Sequence, residues 1–255
     1  MLRPRIIPCL LVHEKGLVKT INFKYDKYIG DPINAVRIFN EKEVDELIVI
    51  DIDATVLNQE PDYKMIADLA AECRMPLCYG GGIKTVQQAK KIISLGVEKV
   101  AISSAAIENP ELIKEMSKTI GSQSIVVVLD IKKTGILNNY ELFIHNGKLK
   151  SKKNLLAFIQ LIEQYGAGEI LVNSIDNDGV MKGYDMELID KIRQAIGIPI
   201  TVLGGAGTVE DIKKVVNKYK IIGVAAGSLF IYKGIYKAVL INYPNQVDKL
   251  SIIKF

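Results

Sequence analysis

Residues 80–93 read Gly80-Gly81-Gly82-Ile83-Lys84-Thr85-Val86-Gln87-Gln88-Ala89-Lys90-Lys91-Ile92-Ile93, and a related stretch returns later in the chain. There Gly204-Gly205-Ala206-Gly207 precedes Glu210-Asp211-Ile212-Lys213-Lys214-Val215-Val216. The two glycine runs lie 124 residues apart, and so do Ser104 and Ser228, each of which follows an apolar run. Each copy reads as a strand ending in glycines, a helix, a second strand, and a small-residue turn that opens another helix. Further upstream, Asp45-Glu46-Leu47-Ile48-Val49-Ile50-Asp51-Ile52-Asp53 is echoed by Gly168-Glu169-Ile170-Leu171-Val172-Asn173-Ser174-Ile175-Asp176. Duplication at this spacing predicts two fused halves with pseudo-twofold symmetry.

Outward from the repeat, eight β-rich runs occur at 6–12, 47–52, 76–79, 100–103, 124–130, 170–174, 199–203 and 221–226. Amphipathic stretches fall at 31–40, 62–73, 85–95, 110–120, 155–165, 186–195, 209–217 and 235–242. Most of the runs are nearly continuous in apolar residues, as parallel strands covered on both faces require. Asp31-Pro32, Asn109-Pro110 and Thr208 read as helix starts. Eight strand–helix pairs predict one (β/α)8 TIM barrel over residues 1–255 rather than a doubly wound open sheet. Two connections are long, 13–30 and 131–153. The second holds β-like pieces at 140–145 and at Lys148, joined at Asn146-Gly147 as a hairpin. Loops that follow barrel strands build the active face, so both read as lids or substrate walls.

The chain has 255 residues, with 33 Lys and Arg against 29 Asp and Glu, a net charge of +4. Apolar residues make up 49% and charged residues 24%, which excludes a disordered chain; no basic block points to nucleic acid. No apolar run is long enough to span a membrane, and the start lacks a signal-peptide pattern. Cys9, Cys73 and Cys78 lack metal-ligand spacing and read as buried thiols of a cytoplasmic protein. With only His13 and His145 present, no metal site and no cofactor is expected.

Glycines let a ligand approach the backbone, and the free N–H groups of a following helix attract anions. Two copies in matched positions predict two phosphate sites facing each other, and hence a small molecule phosphorylated at both ends. The phosphate-binding candidates are Gly81, Gly82, Ser103, Ser104, Gly179, Gly204, Gly205, Gly227 and Ser228, with one site near Gly82, Ser103 and Ser104 and the other held by Gly205, Gly227 and Ser228. At the opposite end of the strands, Arg5, Glu46, Lys99 and Glu169 stand just before apolar runs. Two cations and two acids there predict a salt-bridged ring, either a plug for the barrel or a gate into an axial channel.

The segments Arg5-Ile6-Ile7-Pro8-Cys9-Leu10, Lys19, Asn22-Phe23, Gly30-Asp31-Pro32, Gly80-Gly81-Gly82-Ile83, Gly166-Ala167-Gly168-Glu169-Ile170, Ser174-Ile175-Asp176-Asn177-Asp178-Gly179 and Gly204-Gly205-Ala206-Gly207 closely resemble one family. It is that of the cyclase subunit of imidazole glycerol phosphate synthase, from histidine biosynthesis. The resemblance covers essentially the whole chain. It implies a heterodimer with a glutaminase subunit, whose ammonia crosses the barrel axis to a bisphosphorylated ribonucleotide. It makes Arg5, Glu46, Lys99 and Glu169 an ammonia gate, and gives catalytic roles to Asp130 and Lys19.

The family places two acids at the ends of strands one and five. Asp130 is one; Leu11 stands where the other belongs. Asp51 and Asp178 are acids at other strand ends. Further active-face positions depart from the family pattern: Cys78, Tyr79, Ser103, Asn173, Val180 and Leu203. Cys9-Leu10-Leu11-Val12, Gly16-Leu17-Val18-Lys19-Thr20 and Tyr28-Ile29-Gly30-Asp31-Pro32-Ile33-Asn34-Ala35 are most similar to a paralogue group from bacterial surface-polysaccharide pathways. That resemblance implies ammonia supply for acetamidino groups on sugars, with a sugar amidotransferase as a further partner. Three functions follow: an ammonia-conducting subunit of a glutamine amidotransferase in O-antigen-type synthesis, an authentic histidine-pathway cyclase, or a barrel that only activates and channels for other proteins.

Overall fold

Alternation along each strand decides which side chains reach the barrel axis. In the computed structural model, which describes residues 3–253, the run from Ile125 to Asp130 illustrates this. Ile125, Val127 and Leu129 pack into the large apolar layer beneath the helices. Val126 and Val128 join a second cluster inside the barrel, with Ile7, Cys9, Ile48, Cys78, Ala101, Leu171 and Ala225. Asp130 is in phase with this inner set, so the side-chain period of two carries it to the axis.

The barrel strands are β1 (Arg5–His13), β2 (Leu47–Asp51), β3 (Leu77–Gly80), β4 (Lys99–Ile102), β5 (Ile125–Thr134), β6 (Glu169–Ser174), β7 (Ile200–Leu203) and β8 (Gly223–Ala226). Each pairs in parallel with the next, and β8 pairs with β1 from Arg5 opposite Gly223 to Pro8 opposite Ala226. The main helices are α1 (Pro32–Glu41), α2 (Tyr63–Glu72), α3 (Val86–Ser94), α4 (Glu111–Ile120), α5 (Leu155–Gln164), α6 (Met186–Arg193), α7 (Val209–Tyr219) and α8 (Gln246–Ile253). The architecture is a closed (β/α)8 barrel. Among the described residues no helix is long and apolar enough to cross a membrane.

The duplication is visible in the caps. Both α3 and α7 open with a capping box, Thr85 with Gln88 and Thr208 with Asp211. These caps are 123 residues apart while the strand ends are 124 apart, so the second copy is one residue shorter between its glycines and its cap. Asp31 caps α1 by accepting from the Asn34 N–H at 2.8 Å. The start expected at Asn109-Pro110 differs: Pro110 itself holds the cap position of α4, already helical at φ −63°, with no side-chain bond.

Three segments depart from the expectations. Residues 235–242 are not a helix. Tyr232–Lys233 and Ala238–Val239 pair as a small antiparallel ribbon around Gly234, whose φ is +72°. The last helix begins at Gln246 instead, where Asn245 accepts from the Asp248 N–H. The connection 13–30 is an antiparallel pair, Gly16–Ile21 with Lys24–Gly30, and its first strand continues the pairing of β1. In 131–153, β5 runs past the barrel to pair with Asn139–Ile144, which then turns through Asn146-Gly147 onto Leu149–Lys150.

The chain end closes the seam where β1 meets β2. The Tyr243 hydroxyl donates to the Ile6 carbonyl at 2.8 Å, and buried Lys249 pairs with Asp45 at 2.9 Å.

Candidate active site

A cavity of about 650 Å³ opens at the C-terminal ends of the strands. Its wall includes Leu11, Lys19, Asp51, Asp130, Asn173, Asp178 and Leu203. It also includes every glycine and serine assigned to the two phosphate sites: Gly81, Gly82, Ser103, Ser104, Gly179, Gly204, Gly205, Gly227 and Ser228. Cys78 is placed differently. Its strand enters the barrel lower, so Gly80 reaches the cavity, whereas Cys78 belongs to the apolar layer between cavity and ring. Tyr79 faces the helices.

The polar centre of the floor is Asp130. The Asn173 amide, its register partner on β6, donates to it at 2.9 Å. Burial pushes the Asp130 carboxyl up to about 6, and the nearby Asp178 charge adds to this. The Asn173 amide and the neighbouring Ser103 hydroxyl oppose it by favouring the ionised form. The Ser103 hydroxyl falls short of ordinary hydrogen-bond geometry to any described residue. Leu11 has Ile50 as its register partner and packs against the apolar inner cluster. The acids in the cavity wall, among the described residues, are Asp51, Glu108, Asp130 and Asp178, and none comes from β1.

Lys19 lies on the strand that folds back over β1. Its Nζ donates to the Cys9 carbonyl at 2.7 Å, and burial holds its ammonium below the usual lysine range against the pull of nearby Asp178. Gly227 makes room for it, since a Cβ there would lie 2.4 Å from Lys19 Nζ. Asp178 accepts from the Thr20 hydroxyl at 2.7 Å and from the Phe23 N–H at 3.1 Å, tying the first long loop to β6. Asp51, also raised by burial, accepts from the N–H groups of Asp53 and Ala54.

The glycine turns require glycine. Gly81 (φ +122°) and Gly205 (φ +112°) would place a Cβ 2.5 Å from the Asp51 carbonyl and 2.1 Å from the Gly183 carbonyl. Ser104–Glu108 and Ser228–Ile231 are single-turn helices that begin at the cavity wall after each second strand. Residues that the sequence reading missed, His145 and Asn146, cover the first turn. The His145 N–H donates to the Ser104 hydroxyl at 2.9 Å, its ring meets Glu108 at 2.9 Å, and the Asn146 amide donates to the Ile52 carbonyl. The Asn146-Gly147 hairpin signal located this turn but not what it would touch.

At the opposite mouth the four charges form a continuous ring. Arg5 pairs with Glu46 and, at 2.6 Å, with Glu169; Lys99 bridges the same two acids at 2.8 and 3.0 Å. Burial alone would raise the Glu169 carboxyl, but Arg5 and Lys99 outweigh it and hold the acid below its usual range. Thr201 adds a hydroxyl donor to Glu169. The apolar inner layer lies between the ring and the cavity.

The family described as "Histidine biosynthesis protein" matches residues 5–237. The "Putative imidazole glycerol phosphate synthase subunit HisF" of Leptospira borgpetersenii is 59% identical over 252 residues, 99% of both chains. The "Putative imidazole glycerol phosphate synthase subunit hisF2" of Pseudomonas aeruginosa is 51% identical, over 99% of this chain and all of that one. The "Imidazole glycerol phosphate synthase subunit HisF" of Natranaerobius thermophilus is 38% identical over 246 residues, 96% of this chain and 97% of its own. With the closed barrel, the paired glycine turns and matches along almost its whole length, the chain belongs to the histidine-biosynthesis protein family, among the cyclase-type subunits of imidazole glycerol phosphate synthase.

Proposed function

We propose that this chain is the ammonia-receiving barrel subunit of a glutamine amidotransferase, a paralogue of the histidine-pathway cyclase that serves acetamidino-sugar synthesis for a surface polysaccharide. Its partner is a glutaminase, bound at the mouth that carries Arg5, Glu46, Lys99 and Glu169. That ring is the gate, and the apolar inner layer is the route to the cavity. A phosphorylated small molecule lies between the two glycine turns, and a sugar amidotransferase takes the product or the ammonia onward. Asp130 acts as the acid–base group, with Lys19 orienting a phosphate at the second turn.

The observation that carries the reading is Leu11. Cyclisation by opposed proton transfers needs two groups, and the place facing Asp130 across the floor holds a hydrocarbon packed on Ile50. The ring and the phosphate turns are retained around a changed centre. The relatives at 51–59% identity carry provisional or numbered names, whereas those named HisF without qualification stand at 38%, which fits a separate branch. The test is glutaminase activity of a co-purified partner with and without this chain. Activation supports the reading; neither binding nor activation overturns it.

The alternative, an authentic histidine-pathway cyclase, draws on the retained Asp130, Lys19 and glycine turns. Rescue of a histidine auxotroph by this chain would establish it in place of the first.

A further inference from the structure

Asp45 and Glu46 are consecutive residues just before β2, and they serve different neighbours. Glu46 joins the ring, meeting Arg5 and Lys99. Asp45 meets the end of the chain instead, where Lys249 of α8 lies 2.9 Å from its Oδ1, with the two side chains only 6% and 3% exposed. Asp45 Oδ2 accepts from the Ile6 N–H at 2.9 Å, one residue past Arg5. Asp45 is therefore bonded to the chain neighbour of one ring member and is itself the chain neighbour of another. Its Oδ1 makes no hydrogen bond of ordinary geometry, so ion pairing meets its charge, with Lys249 and with Arg3 at 3.5 Å. Arg3 is mostly exposed, and water screens it. Lys249 is the buried counter-charge, and its Nζ also donates to the Glu43 carbonyl at 3.1 Å.

We propose that Lys249 is a positioning residue for the ring, and that its pair with Asp45 is a clasp by which the C-terminal helix holds the mouth of the barrel closed. A buried carboxylate keeps its place while its charge is matched; unmatched, it is driven toward water. Asp45 cannot move without drawing Ile6 and Glu46 with it, and that loosens the contact between Arg5 and Glu46. Tyr243 grips the same place from the other side, donating to the Ile6 carbonyl at 2.8 Å while its ring packs on Phe230 with centroids 5.3 Å apart. Docking of α8 and closure of the ring are thereby one event. The clasp's part in ammonia traffic rests on the gate reading above; its hold on the ring does not.

The readout is the Cys78 thiol, which is fully buried in the inner layer on the register partner of Lys99. Methyl methanethiosulfonate, small and uncharged, reaches it from the mouth when the ring opens. Cys9, which lines the cavity, is the reference from the other end. Labelling of each thiol at fixed pH is followed by mass spectrometry of its peptide. Lys249→Met keeps the apolar stem, removes the charge and speeds Cys78 labelling about tenfold, with Cys9 unchanged. Adding Asp45→Asn, whose amide oxygen still accepts from Ile6, removes the unmatched acid and returns Cys78 to the wild-type rate. A helix needed only for packing gives no such rescue, because the double variant has lost more than the single one. Lys249→Gln, a milder change that serves if the first variant does not fold, gives a severalfold rise. Unchanged Cys78 labelling, an equal rise at Cys9, or a double variant that labels as fast as the single one overturns the proposal. Glutaminase activation with no labelling difference defeats the clasp and leaves the function standing; the reverse pattern defeats the function and leaves the clasp.

Discussion

On one side of the floor Asp130 and Asn173 are register partners joined by a hydrogen bond; at the matching place in the other half the partners are Leu11 and Ile50. The two halves otherwise keep the same plan. Each has its glycine turn, its capping box and its single-turn helix at the cavity wall. Below both floors each half contributes to the apolar inner layer. The barrel's stability comes from that layer and from the outer one, which leaves the residues at the strand ends free to diverge. One half carries an acid with a hydrogen-bonded partner, while the other presents hydrocarbon at the matching place. Symmetry in the scaffold therefore says little about symmetry in the chemistry, which has to be read position by position.

The largest expected effect tests whether the hydrocarbon half disables the family reaction. Purified barrel, given ammonium at alkaline pH and the bisphosphorylated ribonucleotide, turns over at least about 10²-fold more slowly than a relative with both acids. Absorbance of the ribonucleotide follows it. Leu11→Asp restores only a part, because Ser103, Asn173 and Leu203 still shape the floor. Ordinary turnover by the unaltered chain would mean that the two halves are not functionally different in the way proposed.

The ring at the far mouth draws three members from the first half, Arg5 on β1, Glu46 just before β2 and Lys99 on β4, and one from the second, Glu169 on β6. Glu169→Leu leaves two cations to share one acid and costs about 3–5 kcal/mol in urea unfolding. A loss below about 1 kcal/mol would show that water already reaches the ring.

Acidity separates the halves again. Asp130 has a folded pKa of about 6 against an ordinary 3.8, so the native state holds its proton more tightly than the unfolded chain. Its contribution is full below about pH 4 and is lost as pH rises through 6, on the order of 3 kcal/mol in total. Asp130→Asn removes this slope, whereas Leu11→Asn leaves it in place. Urea midpoints measured across that pH range distinguish the two.

How far the sequence could be read follows the same division. The barrel was legible because buried parallel strands are continuous apolar runs and because the repeat shows itself at 124 residues. The bond between Asp130 and Asn173 was not, since it depends on the register of two strands that are 43 residues apart. Cys78 looked like a cavity residue because it precedes the glycines, but each strand enters at its own height and only Gly80 reaches the floor. Residues 235–242 imitate helical spacing with Ile235, Tyr236 and Leu240, yet all three are exposed and the Gly234 turn sends the chain into a ribbon.

The smallest expected effect tests how alike the halves are where they agree. Thr85→Ala and Thr208→Ala each remove the hydroxyl that accepts from the third helical N–H, Thr208 losing its exposed bond to the Asp211 carboxylate as well, and each costs about 1 kcal/mol. Values that differ by more than that would expose an asymmetry in the caps, and thermal unfolding of both variants decides it.

The ring also sets a timetable for synthesis. Arg5 meets Glu169 across 164 residues, and the Tyr243 hydroxyl reaches the Ile6 carbonyl across 237. While the chain is being made, the acid that completes the ring emerges long after its three partners, and the latch across the β1–β2 seam emerges later still. Until then Arg5, Glu46 and Lys99 carry an unmatched charge at an open end. Contacts of such high sequence separation slow folding, so the first half waits, exposed strand edges and all, for the second.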